Sequence, residues 1–163
     1  ALDPAHAAAH EHLGTLLLVA GRHAEAIEHL ARSVELDPER ATAANNLVWV
    51  LATAPNPAHR DPARALALAR RLLVGEVLDG GALDTLAAAQ AASGDFDAAV
   101  RSAVQAIDAY ESGGASEGAL GPLRQRLAGY RAGRAWVEPA ATGDAPAQLG
   151  EPAAPPSRED ETR

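Results

Sequence analysis

The chain has 163 residues, a net charge of −8 at pH 7 and no cysteine. The missing cysteines exclude disulfides and thiolate metal sites, and the acidic balance argues against a nucleic acid partner, because phosphate backbones attract basic surfaces. No apolar run reaches the roughly 18 residues that a membrane-spanning helix requires, so no membrane span is predicted in this segment. All 14 basic residues are arginine, a bias typical of bacterial genes rich in G and C. The cytoplasm is the working expectation for the compartment.

Apolar residues spaced by three and four predict an all-α chain of seven helices. The first helix is expected over about 7–20 and should end at Gly21, because glycine accepts the left-handed backbone that closes a helix. Asp61 and Pro62 mark the start of the fourth helix, and Asp95 marks the start of the sixth, since Asp caps free N–H groups and Pro fits the first helical position. The other predicted ranges are 23–36, 39–53, 82–93 and 96–111.

The last part of the chain is predicted to hold one more helix and a disordered tail. Apolar residues from Leu120 to Tyr130 recur at intervals of three and four, which places a seventh helix within 116–133. Arg126 lies off the apolar face in this interpretation. Residues 138–163 are rich in Pro, Ala and acidic residues and poor in large apolar ones, so we expect them to be disordered.

Segments of the sequence recur at a period of about 34 residues. A Leu-Asp-Pro segment returns at this interval, and Ala99 follows Ala65 by the same distance. Ala65 follows Ala26 at an interval that is five residues longer. An insertion of five residues near 55–60, a stretch rich in Pro, accounts for the difference. Alanine at these three positions would let the second helix of each pair approach the first closely.

Period and motif together resemble the tetratricopeptide family from residue 7 to about residue 110. The matching positions are Leu13, Gly14, Ala26, Pro38, Leu86, Phe96 and Ala99. Val48 and Ala87 stand where the family has glycine. The resemblance implies an antiparallel helix-hairpin solenoid of about three repeats. Its implied units are a remnant of a preceding repeat at 1–6, repeats at 7–40, 41–79 and 80–112, and a capping helix at 116–133.

The resemblance also implies a concave groove, lined by the first helix of each repeat, that holds a peptide. The residues implied to bind it are Glu11, His12, Thr15, Asn45, Asn46, Trp49, Thr53 and Asp84. No basic residue stands at an inward position. A clamp for a terminal carboxylate, as chaperone-binding members of the family have, is therefore not expected.

Three of these residues have two interpretations each. The amides of Asn45 and Asn46 suit the backbone of an extended peptide, but Asn also satisfies nearby backbone groups early in a helix. Trp49 is either an aromatic anchor of the groove or the cover of the inserted 55–60 loop.

Histidine is the residue type with the strongest case for chemistry. His6 and His10 are four apart, with His12 nearby, and two such imidazoles can share a Zn²⁺, which still needs a third ligand. The zinc-protease helix is not matched, because that motif needs a second His three residues after the Glu, where this chain has Gly14. No Ser–His–acid arrangement and no Gly-rich phosphate loop is visible. Neither catalysis nor a cofactor is predicted.

The expected function is therefore that of a non-catalytic scaffold that binds a protein or peptide partner. The alternative is a docking or regulatory C-terminal segment of a larger bacterial enzyme or membrane protein. Residues 47–70 resemble the terminal repeats of such proteins, and the chain does not begin with Met.

Overall fold

The computed structural model describes residues 4–72 and 79–140, and within these ranges every regular element is helical. The helices are α1 Pro4–Val19, α2 His23–Leu36, α3 Ala41–Thr53, α4 Pro62–Leu72, α5 Gly80–Ala92, α6 Phe96–Ser112 and α7 Glu117–Arg131, with a short 3₁₀ turn at Pro57–His59. The prediction of an all-α chain of seven helices is confirmed for this part of the protein. The predicted disorder of the tail falls mainly on residues 141–163, which lie outside the described residues.

The ends of several helices follow the sequence signals. Gly21 after α1 has a φ of +71°, a conformation that residues with a Cβ rarely adopt. Asp61 and Asp95 cap α4 and α6, because each side chain accepts the backbone N–H three residues later at 3.0 Å. These local signals fix where the chain reverses, and so they set the antiparallel helix pairs.

Three helix starts differ from the predicted ones. Helix α1 begins at Pro4, three residues before its predicted start, so residues 4–6 form its first turn. Helix α5 begins at Gly80 because Asp79 caps it through a 2.7 Å bond from the Ala82 N–H. Helix α3 begins at Ala41, two residues after its predicted start. Helix α7 begins at Glu117, within the predicted range, and contains Pro122.

The helices stack as successive hairpins. Helices α1 and α2, α3 and α4, and α5 and α6 pair with each other, α3 lies against the first pair and α5 against the second, and α7 covers α6. One buried cluster joins Leu30 of α2 to Leu47 and Leu51 of α3. A second joins Ile107 of α6 to Leu127 of α7. The core is therefore continuous along the stack and is built from neighbouring hairpins.

Small residues sit where the two helices of a hairpin approach most closely. Ala26, Ala65 and Ala99 are fully buried, as the repeat predicts. At Gly14 of α1 a Cβ would lie 2.6 Å from Cγ of Leu30, which is too close for any side chain. The Leu-Gly pair of the first repeat thus reflects the contact between α1 and α2.

The contact at Gly14 is testable with one methyl group. Gly14→Ala gains helix propensity but must displace the fully buried Leu30, so we expect a net loss of about 1–2 kcal/mol in the free energy of unfolding, measured in urea. Gly121→Ala in α7 is the matched control, because nothing lies within 4 Å of its added Cβ. That change should stabilise the protein by about 0.5–1 kcal/mol. Equal effects of the two substitutions would show that α1 and α2 are not this close.

Candidate functional site

The predicted binding residues of α1, α3 and α5 lie along one side of the stack, which we call the groove face. It is defined by Glu11, Thr15, Asn46, Trp49 and Asp84. Nδ2 of Asn46 donates to Oγ1 of Thr15 at 3.1 Å, which ties α3 to α1. Helices α3 and α5 pack directly, and on this face a side chain of α7 also lies between them.

That side chain is Arg126, which is 8% exposed and bound to Asp84. Its Nε and Nη2 donate to the two carboxylate oxygens at 3.0 and 2.6 Å. Its guanidinium carbon lies 5.3 Å from the ring centre of Trp49 and 5.9 Å from that of Trp136, both within range of a cation–π attraction. A doubly hydrogen-bonded guanidinium over aromatic rings is a geometry that lysine could not reproduce.

The interpretation that Arg126 lies off the apolar face of α7 was wrong, because its side chain is buried. The inward positions of α1, α3 and α5 carry no cation, as the sequence shows, but α7 brings one to the groove face. Arg126 follows Leu123 by three residues and precedes Tyr130 by four, so it borders the apolar face of α7. Its long stem can run along that face while its charged end reaches Asp84. The groove face therefore carries a cation, and that cation is already paired.

Burial governs the two titratable groups around Arg126. It raises the pKa of the Asp84 carboxyl, against the lowering effect of the two hydrogen bonds and the charge of Arg126. It also raises the pKa of the Tyr130 hydroxyl, with the Asp84 charge acting in the same direction. That hydroxyl is buried and has no hydrogen-bond partner among the described residues. Asp84 and Tyr130 are thus part of the packed interior beneath α7.

Residues 134–140, which we call the C-terminal strap, run back from α7 onto the groove face without regular structure. The N–H of Glu138 donates to the carbonyl of Thr53 at 2.8 Å. Trp136 packs against the buried cluster of α5, α6 and α7, and its Nε1 donates to Oε1 of Glu138 at 3.3 Å. The carbonyls of the last turn of a helix lack partners within the helix, so the strap completes the end of α3.

A pocket of about 300 Å³ remains open beside the strap. Its walls come from the C-terminal ends of α1 and α3 and from the strap itself. The residues that line it include Leu18, Val19, Trp49, Thr53, Glu138 and Pro139. The pocket is predominantly apolar and large enough for one bulky side chain of a ligand.

The N-terminal half of the groove face is polar. Glu11 accepts from Arg40 at 2.7 Å, and Thr15 donates to the backbone carbonyl of Glu11 at 2.9 Å. His12 is exposed. Oδ1 of Asn45 is buried and has no hydrogen-bond partner in the described part of the chain.

Thr53 and Asp84 do not offer their side chains to a ligand as predicted. The Thr53 hydroxyl is buried and donates to the carbonyl of Trp49 at 2.8 Å. Thr53 instead contributes its own carbonyl, which already holds the strap. The Asp84 carboxylate is occupied by Arg126. Trp49 is half-buried, with its ring against Arg126.

The histidines do not assemble a metal site in the described residues. Nδ1 of His10 lies 2.8 Å from Nδ1 of His29, so one ring donates to the other. Partial burial, the neighbouring His29 and the charge of Arg32 lower the pKa of His10. No group of three His, Cys, Asp or Glu side chains able to hold a metal occurs in residues 4–72 and 79–140. In the same ranges no helix is long and apolar enough to cross a membrane.

The buried pair of Asp84 and Arg126 should be the most sensitive polar contact of the fold. Asp84→Asn leaves the guanidinium without its counter-charge, so we expect a loss of about 2–4 kcal/mol in the free energy of unfolding. Arg126→Gln should cost a similar amount, and the double variant should cost less than the sum of the two. Glu25→Gln, which breaks the exposed pair of Arg22 and Glu25, is the control and should leave stability nearly unchanged. Additive effects of the two buried changes would contradict a direct coupling.

Comparison with known proteins adds no relative. No model of a protein family matches the chain, and no curated protein is significantly similar to it. What can be said of its function therefore rests on the repeat within its own sequence and on the geometry of the groove face.

Proposed function

We propose that this chain is a non-catalytic interaction module of tetratricopeptide type, whose groove face binds an extended segment of a partner protein. The observation that carries the proposal is the C-terminal strap. Residues 134–140 have no helix or strand structure, and Trp136, Glu138 and Pro139 of this segment meet that face through contacts of the kind that a bound peptide makes.

The contacts of the strap combine main-chain and aromatic recognition. The Glu138 N–H supplies a backbone hydrogen bond to Thr53, which any residue except proline could supply. Trp136 supplies an aromatic ring near Arg126, the type of residue that dominates binding energy at interfaces. A partner segment with an aromatic residue two positions before a hydrogen-bond donor would fit the same groups.

Two features beside the strap extend the surface available to a ligand. The pocket next to Trp49 offers an apolar cavity of about 300 Å³. Farther along the face, Asn45 lines a second cavity of about 250 Å³ together with Thr42 and Gly81, and a side-chain amide suits the backbone of an extended peptide. An apolar cavity with a few polar groups near it is the usual composition of a binding site.

The strap and a partner would compete for the same groups. A segment tethered by a short link has an effective concentration in the millimolar range. A partner that uses Trp49 and Thr53 must therefore displace the strap, and its apparent affinity is lowered accordingly. The proposal thus includes a weak resting interaction within the chain and a stronger one with the partner.

A peptide with the sequence of residues 134–140 tests the proposal directly. In the full chain, Trp136→Ala combined with Glu138→Pro removes the ring and the N–H that hold the strap. We expect this released variant to bind the fluorescently labelled peptide with a Kd of about 10–500 μM by anisotropy, equivalent to about −4.5 to −7 kcal/mol. The unmodified chain should bind it more weakly, by about threefold if that Kd is about 500 μM and by about a hundredfold if it is about 10 μM, because its own strap occupies the site at an effective concentration of about 1 mM.

Two further variants separate groove binding from nonspecific adhesion. Trp49→Ala in the released background should abolish peptide binding while the helical circular dichroism persists. Val137→Ala, which alters an exposed side chain of the strap, should leave the unmodified chain closed to the peptide. Peptide binding that survives Trp49→Ala, or no binding by the released variant, would refute the groove as the site.

A further inference from the structure

Helix α1 presents an exposed apolar surface on the side away from α2. Leu13, Leu16 and Val19 are 43%, 66% and 83% exposed, and the one other large apolar side chain so exposed in the described residues is Val137. The helix has a single acidic or basic residue apart from its histidines, Glu11, and that carboxylate is bound to Arg40. A contiguous apolar surface without charges is the mark of an interaction site.

The repeat shows what this surface corresponds to in the interior of the stack. Four positions in and directly after α1 recur, one period later, in and directly after α3. The pairs are Ala9 with Ala43, Leu13 with Leu47, Leu16 with Val50, and Ala20 with Ala54. All four members in the first repeat are exposed, whereas all four members in the second are at most 2% exposed. The same positions are thus buried between hairpins in the second repeat and exposed to solvent in the first.

The third repeat gives the same result. Leu86 and Ala89 of α5 follow Leu47 and Val50 by one period lengthened by the insertion at 55–60. Ala89 is fully buried, and Leu86 packs against the cluster centred on α3. In the second and third repeats, these positions therefore pack against the preceding hairpin.

The interior joint also shows the chemistry of the occupant. Ile27, Ala31 and Val34 of α2 pack against the cluster that contains Leu47 and Val50. These are aliphatic and small residues, spaced by three and four along the second helix of a hairpin. A helix with that stripe packs against these positions of α3. No described helix packs in this way against the matching positions of α1.

We propose that the exposed face of α1 is a second docking surface, which receives a partner helical hairpin packed as α1 and α2 pack on α3. Leu13 and Leu16 do not line the pocket of the groove face, which Val19 alone of the three also borders, and the inference does not depend on the proposed function. A second copy stacked head to tail is a poor fit for the occupant. At the other end of the stack, Leu120, Leu123 and Leu127 of α7 already pack against α6.

The test supplies the full chain with such a hairpin. A second copy of residues 2–35 is placed directly before Leu2, so that the Leu-Asp-Pro segment at 2–4 follows the added hairpin as the segment at 36–38 follows α2. We expect amide hydrogen exchange in α1 to slow by at least about tenfold and the Tm to rise, because each new joint adds stability to a stack of repeats.

Leu16→Glu in the original α1 provides the matched control. In the unextended chain this side chain is 66% exposed, so the change should leave Tm and exchange nearly unaltered. In the extended chain it should cancel most of the protection. Unchanged exchange in the extended chain, or protection that Leu16→Glu does not reduce, would overturn the proposal. Sedimentation equilibrium of the unextended chain tests whether a second copy of the chain occupies the surface instead. A dimer that Leu16→Glu abolishes would identify the second copy as the occupant and would also overturn the proposal.

Discussion

The arrangement of the groove face depends on the contact between Arg126 and Asp84. It is the most buried ion pair in the described part of the chain, with side chains 10% and 13% exposed. Its two hydrogen bonds hold α7 against α5, and the same guanidinium lies near the rings of Trp49 and Trp136. A buried pair of this kind contributes less to stability than its Coulomb energy suggests, because both groups lose their hydration. Its larger effect is on geometry, since it fixes where the chain leaves α7 and hence where the strap lies.

The strap already occupies part of the groove face, which we propose as a binding surface. Its single backbone hydrogen bond to Thr53 contributes only about 0.5–1.5 kcal/mol net. The strap has few such contacts, so on the proposed function a partner with a good aromatic residue and more main-chain contacts replaces it.

The two ends of the stack differ in a way that has consequences for assembly. The end at α6 is covered by α7, whose leucines continue the core. The end at α1 exposes Leu13 and Leu16, although the equivalent residues of α3 are buried. Stacked repeats gain stability from each joint with a neighbour, so the α1 end is the place where an added hairpin stabilises the protein most directly.

The sequence by itself determined the helices, their order and the close contacts within each hairpin. These depend on local signals: apolar spacing of three and four, caps such as Asp61 and Asp95, and small residues such as Gly14 and Ala26 at a fixed period. Helix signals act over a few residues, so they can be read without knowing the fold. The predicted start of α1 failed only because Pro4 can open a helix as well as precede one.

The tertiary structure alone decided which side chains meet across the groove face. Asp84 and Arg126 are 42 residues apart, and spacing does not reveal which of the acids and arginines will pair. The strap has no periodicity, so nothing in its sequence indicated that Trp136 would pack beside Arg126 or that Glu138 would bond to α3. Trp49 and Thr53 lie four residues apart on α3, but their partners come from α7 and the strap. Such contacts are set by how whole hairpins stack, because packing brings together residues that no local pattern relates.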